Sequence, residues 1–127
     1  MAVSTRSTST ASSKAHRETV SESVASITSF LADLLGARLT ARLAGVDTSS
    51  ISRWKSGTAT PHEDSECRLR AAHQVARLLL AVDADQTVRA WFIGMNPQLD
   101  DEAPIDAIAF GDTKAVLAAA RSFIDGV

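Results

Sequence analysis

The feature that most constrains this chain is a glycine, Gly45, placed between two short segments of helical character. A pair of helices crossed over a tight turn needs a residue that tolerates the left-handed conformation, and a small residue where the helices touch. Gly45 and Ala41, which lies four residues earlier, meet both needs. Apolar residues then have to anchor the second helix to the first, and these are Val46, Ile51 and Trp54. The segment predicts a helix-turn-helix.

The outward positions of the second predicted helix carry side chains that can hydrogen-bond to base edges or phosphates in a major groove. They are Thr48, Ser49, Ser52, Arg53 and Lys55. On the preceding helix Arg38 and Arg42 lie four residues apart, placed to clamp backbone phosphates. We therefore predict DNA binding, with Arg53 as the strongest base-reading side chain. The alternative is an ordinary helical hairpin with a solvated polar face.

The remainder of the chain also has helical periodicity. Apolar residues recur at three- and four-residue steps, and glycines and prolines mark the breaks, whereas no alternating segment is long enough to predict a strand. Residues 1–17, rich in Ser, Thr and Ala, are expected to be a disordered tail. We predict an all-α protein with a helix-turn-helix region over residues 18–62 and a small helical C-terminal region over residues 63–127.

The charge is unevenly distributed along the chain. The formal net charge is only −2, yet residues 37–80 carry seven basic and four acidic side chains, and residues 81–127 carry three basic and eight acidic ones. Such a division suggests two surfaces with different partners. No apolar run reaches the roughly 18 residues that a membrane span needs, and no secretory signal is present. With a single cysteine, Cys67, the expected compartment is the cytoplasm.

Nothing in the sequence predicts catalysis. Cys67 and His73 are six residues apart, which is not a metal-ligand spacing on one helix face. There is no glycine-rich phosphate loop, nucleophile motif or HExxH. We expect no enzyme, no metal and no cofactor. Of the aromatic side chains, at least one of Trp91 and Phe92 is expected in the core. Phe110 and Phe123 are also expected in the core, with a partner surface as the alternative.

Roughly residues 20–127 resemble a known family. Residues 45–57 resemble an Xre-type helix-turn-helix, and the C-terminal region carries the more specific pattern. The stretches VRAWFIGMNPQL and APIDAIAFGDTKAVLAAARSFIDG look like the toxin-binding domain of Xre/MbcA/ParS-type antitoxins. That family has a helix ending in Trp and a hydrophobic residue, an Asn-Pro loop with a Leu, a Pro-hydrophobic helix ending in Gly, and a last helix closed by Gly. The matching residues here are Trp91-Phe92, Asn96-Pro97, Leu99, Pro104-Ile105, Gly111 and the run from Val116 to Gly126.

The resemblance implies an antitoxin that partners a RES-domain toxin, a class that depletes NAD, and covers its active-site cleft. It also implies a homodimer or a higher-order complex that binds its own promoter. Because the chain ends at Val127, blockade is expected from the last helix and its terminal carboxylate. The implied toxin-binding residues are Trp91, Asn96, Pro97, Leu99, Gly111, Arg121, Asp125, Gly126 and Val127.

One departure from the family and two alternatives remain. Where the family usually has a glycine shortly after the Asn-Pro-Leu loop, this chain has Asp100-Asp101-Glu102, which makes the loop more acidic. The first alternative is a stand-alone helix-turn-helix repressor whose C-terminal half only dimerises. The second is an adaptor that has lost DNA binding, and a steep salt dependence of DNA binding would exclude it.

Overall fold

The helices follow the apolar periodicity of the sequence, and several of their ends lie at its glycines and prolines. The computed structural model describes residues 24–126, so the expected tail over residues 1–17 lies outside the described residues. The α-helices are α1 over residues 24–35, α2 (Ala37–Ala44), α3 (Thr48–Ser56), α4 (Glu63–Leu80), α5 (Asp85–Ile93), α6 (Pro104–Ala109) and α7 (Thr113–Asp125), with a 3₁₀ turn at Pro97–Leu99. Within residues 24–126 no strand occurs, and the predicted all-α fold is confirmed.

Helix α4 is the central element of the molecule. It packs against α2, α5, α6 and α7. Its buried stripe includes Leu69, Ala72, Ala76 and Leu79, each at most 1% exposed, at the three- and four-residue steps that keep side chains on one face. A fully buried leucine contributes about 1.5–3 kcal/mol of hydrophobic free energy, so α4 supplies much of the stabilisation that holds the shorter helices in place.

One hydrophobic core serves both predicted regions. A single cluster of buried side chains includes Leu43, Ile51 and Trp54 from the first region and Phe92, Ile108 and Val116 from the second. The boundary predicted between residues 62 and 63 therefore does not coincide with a break in the core.

The polar groups inside this core are paired. The Thr28 and Thr40 hydroxyls are fully buried and donate to carbonyl oxygens one helical turn earlier, at 2.7 and 2.8 Å. Between α1 and α4, the His73 ring meets Phe30 edge to face at 5.2 Å, and burial, then the nearby charge of Arg77, lowers the pKa of His73. Across residues 24–126 no helix has both the length and the apolar character to cross a membrane.

Candidate DNA and partner surfaces

The turn between α2 and α3 has the geometry that its glycine predicts. Gly45 is left-handed, with φ 75° and ψ 32°, and its N–H donates to the Arg42 carbonyl at 3.2 Å. The Val46 N–H donates to the Ala41 carbonyl at 3.0 Å, so the last carbonyls of α2 are satisfied by the turn itself. A side chain at position 45 would be strained at this φ.

Helix α4 holds this turn through hydrogen bonds to the last carbonyl of α2. The buried Ser65 hydroxyl donates to the Ala44 carbonyl at 2.8 Å, and a guanidinium nitrogen of Arg68 reaches the same oxygen at 3.4 Å. Because a buried carbonyl without a partner costs about 1–3 kcal/mol, these contacts favour one orientation of α2 relative to α4. The α2–α3 pair is thus held in place by α4, a helix outside the segment that predicts the helix-turn-helix.

An aspartate caps the start of α3. The Asp47 carboxylate accepts from the Ser50 N–H at 2.9 Å and from the Ser49 hydroxyl at 2.8 Å. The Ser50 backbone hydrogen bond is the main cause that lowers the pKa of Asp47, followed by the Ser49 and Ser50 hydroxyls and the charge of Arg53. The helix ends at Gly57, which is left-handed with φ 76°.

The seven predicted DNA-binding side chains are all exposed, whereas Ile51 and Trp54 on the opposite face of α3 are buried. Two of the seven have contacts of their own on α3: the Ser49 hydroxyl is bound to the Asp47 cap, and an Arg53 guanidinium nitrogen donates to the Ser50 hydroxyl at 3.2 Å. The second contact holds Arg53 along the outer face of α3. DNA binding by these residues stays a prediction.

The two arginines of α2 meet a third arginine that sequence reasoning missed. A groove of about 600 Å³ is lined by Leu35, Gly36, Ala37, Arg38, Leu39, Arg42 and Arg89. We call it the arginine groove. Arg42 also reaches the C-terminal region, because its Nε lies 2.7 Å from an Asp106 carboxylate oxygen. Arg89 comes from α5, in the acidic part of the chain, and no local pattern links it to α2.

A second groove lies where the partner surface was predicted. It has a volume of about 430 Å³ and is lined by Trp91, Met95, Asn96, Pro97, Gln98, Ala119, Ser122 and Phe123. We call it the apolar groove, because the Met95 and Phe123 side chains are 81% and 43% exposed along it. Trp91 contacts Phe123 with 6.4 Å between ring centroids. Three of the predicted toxin-binding residues, Trp91, Asn96 and Pro97, are thereby brought together with α7.

Other predicted partner residues lie elsewhere. Leu99 is 7% exposed and packs in the core, so its side chain anchors the loop, and its predicted role in toxin binding stays a prediction. Gly111 is exposed at the turn between α6 and α7. Exposed positions at the end of α7 are Arg121, Asp125 and Gly126, whereas Val127 is outside the described residues.

The aromatic side chains are distributed between core and surface differently from our expectation. Phe92 is fully buried and Trp91 partly so, as predicted, but the core positions expected for Phe110 and Phe123 are wrong, since these side chains are 80% and 43% exposed. Helix α6 ends at Ala109, and its core positions are taken by Ile105, Ala107 and Ile108, which leaves Phe110 beyond the helix. Phe123 instead borders the apolar groove.

The loop before α6 is closed by Asn96. Its side chain accepts from the Gln98 N–H at 2.9 Å, and its carbonyl accepts from the N–H of Asp101 at 2.9 Å. Asp100 and Asp101 have positive φ values of 54° and 65°. The two aspartates thus adopt the left-handed conformation that glycine favours, at the place where the resembled family usually has a glycine.

Over residues 24–126, no group of three or more His, Cys, Asp or Glu side chains is arranged to hold a metal ion. No family model matches the chain, and no curated protein does.

One solved structure is similar. It is a chain of the crystal structure of the M. tuberculosis MbcT-MbcA toxin–antitoxin complex, at 26% identity and a TM-score of 0.70, covering 81% of this chain and 95% of that chain. The fold is antitoxin-like. Because neither predicted region alone makes up 81% of the chain, the likeness extends across both.

Proposed function

We propose that this chain is a regulatory, non-catalytic antitoxin that binds a toxin protein and neutralises it. The observation that carries the proposal is the structural likeness to a chain of a toxin–antitoxin complex, which spans both predicted regions. The apolar groove supports it, because exposed large apolar side chains grouped on one surface are typical of protein interaction sites. Met95, at 81% exposure, and the neighbouring Phe123 are the side chains of this groove that a partner would cover.

For the partner, we propose a RES-domain toxin that depletes NAD. The support is the family pattern carried by Trp91, Asn96-Pro97 and the last helix. Trp91, Asn96 and Pro97 line the apolar groove beside α7, so one toxin surface can contact the loop and the helix together. Neutralisation would be steric, with α7 and the groove covering the toxin's cleft, in a homodimer or a higher-order complex.

We further propose that the chain binds its own promoter through α2 and α3 as a helix-turn-helix. The support is the exposed polar face of α3, its two buried anchors and the left-handed glycine between the helices. Arg53 would read bases, and the neighbouring hydroxyls and Lys55 would contact bases or phosphates. A stand-alone repressor would use the same DNA surface, with the apolar groove as part of the interface through which its C-terminal half dimerises.

The test begins with a tagged chain expressed in its native host and mass spectrometry of the protein bound to it. The gene of that partner is then expressed in a second host with and without the chain, and growth and NAD are measured. The proposal expects growth arrest with loss of NAD, and relief of both by this chain. A harmless partner, or toxicity that the chain leaves unchanged, would contradict the antitoxin role. Recovery of the chain alone would favour the repressor.

Two point variants should separate the two activities. Arg53→Glu should abolish promoter binding and spare neutralisation, because Arg53 lies on α3, away from the apolar groove. Met95→Glu should weaken neutralisation and spare promoter binding. Removal of α7 is unsuitable as a test, because its Val116, Ala119 and Ala120 are core residues. If either variant, shown to be folded by circular dichroism, loses both activities, the assignment of two surfaces fails.

A further inference from the structure

We propose that the arginine groove binds a phosphate of the DNA backbone, with Arg89 as a phosphate contact contributed by the C-terminal region. The inference rests on the proposed DNA binding and deepens it. It assigns a DNA-contacting residue outside the helix-turn-helix, on α5.

The first support is the chemistry of the groove lining. Three guanidinium groups from two helices line one groove, and no carboxylate is among the lining residues. Within residues 24–126 neither Arg38 nor Arg89 has a hydrogen-bond or ion-pair partner. Arg42 is paired with Asp106, so the uncompensated positive charges at the groove are those of Arg38 and Arg89, and a bound anion would offset their repulsion. Guanidinium groups suit phosphate oxygens because their N–H donors form a planar fork.

The second support is the position of the groove on the fold. Arg38 and Arg42 belong to the helix directly before the Gly45 turn, and in the helix-turn-helix arrangement this first helix crosses the DNA backbone while the second enters the major groove. A phosphate beside α2 is therefore the expected neighbour when α3 reads bases. Arg89 lines the same groove, so DNA held there would contact both predicted regions.

The contact has a specific consequence. Phosphate contacts fix the position of a protein on DNA and carry no direct sequence information. Arg89 should therefore add affinity for every duplex and no discrimination between duplexes, which distinguishes it from Arg53. Because each neutralised phosphate releases counterions, the contribution of Arg89 should appear in the salt dependence of binding.

The experiment measures DNA affinity by fluorescence anisotropy over a series of salt concentrations, with the chain's own upstream duplex and a scrambled duplex. Arg89→Gln should make the slope of log affinity against log salt shallower by about 0.9, the value for one phosphate contact, and weaken both duplexes by the same factor. Arg89→Lys should retain most of the slope, because it keeps the charge. The control is Lys114→Gln, which removes an exposed positive charge on α7 outside the groove and should leave the slope unchanged.

The contrary outcomes are distinct. If the unmodified chain binds DNA and Arg89→Gln, still folded, has the same slope, the inference fails and the proposed DNA binding stands. If the unmodified chain binds no DNA, the proposed promoter binding fails and the inference fails with it. A free phosphate is tested by titrating inorganic phosphate at constant ionic strength. Saturable, Arg89-dependent thermal stabilisation without an Arg89 effect on DNA would overturn the DNA assignment.

Discussion

At the scale of single residues, the loop between α5 and α6 shows aspartates in backbone conformations that usually call for glycine. Asp100 and Asp101 are the non-glycine residues with positive φ among residues 24–126. Aspartate tolerates this region better than most residues, because its short polar side chain can interact locally with the backbone. The loop therefore keeps a tight turn while it carries two exposed negative charges.

We expect Asp101→Gly to stabilise the protein. Glycine removes the strain of φ 65°, and this gain exceeds the entropy that glycine adds to the unfolded chain, for a net increase of about 0.5 kcal/mol in the free energy of unfolding. Urea denaturation measures the change. The matched control is Asp83→Gly, since Asp83 has no positive φ and should lose stability. An Asp101→Gly protein less stable than the parent would show that the carboxylate itself holds the loop.

At the same scale, the Asp47 cap should make stability depend on pH in the acid range. The pKa of Asp47 is lowered in the folded chain from 3.8, so its contribution is complete above the unfolded value and is lost as the pH falls through the lower, folded value. Asp47→Ala should lower the urea midpoint at pH 7 and lower it less at pH 3, which is below the unfolded pKa of 3.8. Asp47→Asn should retain most of the midpoint at pH 7, because asparagine also caps helices. An equal loss for Asp47→Ala at both pH values would contradict the role of the charged cap.

At the scale of elements, one side chain of α2, Arg42, has two possible partners, a carboxylate of this chain and a phosphate of DNA. Arg42 is proposed to contact DNA phosphate, yet its Nε is 2.7 Å from the Asp106 carboxylate on α6. The arginine side chain is 61% exposed, and an ion pair this open contributes little to stability, roughly 0–1 kcal/mol. Its larger consequence would be competition, because Asp106 and a phosphate would bind the same guanidinium.

We therefore expect Asp106→Asn to strengthen DNA binding. Removing the carboxylate frees Arg42 and deletes a negative charge beside the arginine groove, so the salt slope should steepen by up to about 0.9. The free energy of unfolding should change by less than about 1 kcal/mol. Fluorescence anisotropy and urea denaturation measure the two quantities, with Asp125→Asn, near the far end of the chain, as the control. An unchanged or weaker affinity would show that Asp106 does not compete for Arg42.

Local chemistry explains which of these elements could be predicted from sequence. Gly45, Ala41, Ile51 and Trp54 sit within one short window whose geometry restricts each position, and the structure places all four as expected. The same periodicity could not tell that Phe110 lies beyond the end of α6. Periodicity defines the apolar face of a helix, but which face a neighbour covers depends on tertiary packing.

The candidate sites show the same difference between residues that a stretch of sequence can indicate and residues whose position depends on tertiary packing. Trp91, Asn96 and Pro97 were implied by the resemblance to a known family, and they do line one groove. Arg89 could not be found in this way, because it meets Arg38 and Arg42 only through the packing of α5 near α2. Leu99 was implied by the same resemblance, yet packing buries it.

At the scale of the whole molecule, the two predicted regions share one core, and we expect them to unfold together. The chain has two tryptophans, Trp54 in the first region and Trp91 in the second, so fluorescence can report on each region separately. In Trp91→Phe and in Trp54→Phe, the urea midpoint from tryptophan fluorescence should coincide with that from far-ultraviolet circular dichroism. Separate midpoints within either variant would show that residues 18–62 and 63–127 unfold independently.

The support that α4 gives to the Gly45 turn has a consequence for protein engineering. The Ala44 carbonyl takes its hydrogen bonds from Ser65 and Arg68, and the inner faces of α2 and α3 pack into the core they share with the later helices. Cut out of the chain, residues 37–57 would expose that face to water and lose those donors. The segment is therefore not a portable DNA-binding unit that can be grafted onto another protein. A fusion or a chimaera has to take α4 and the helices around it as well.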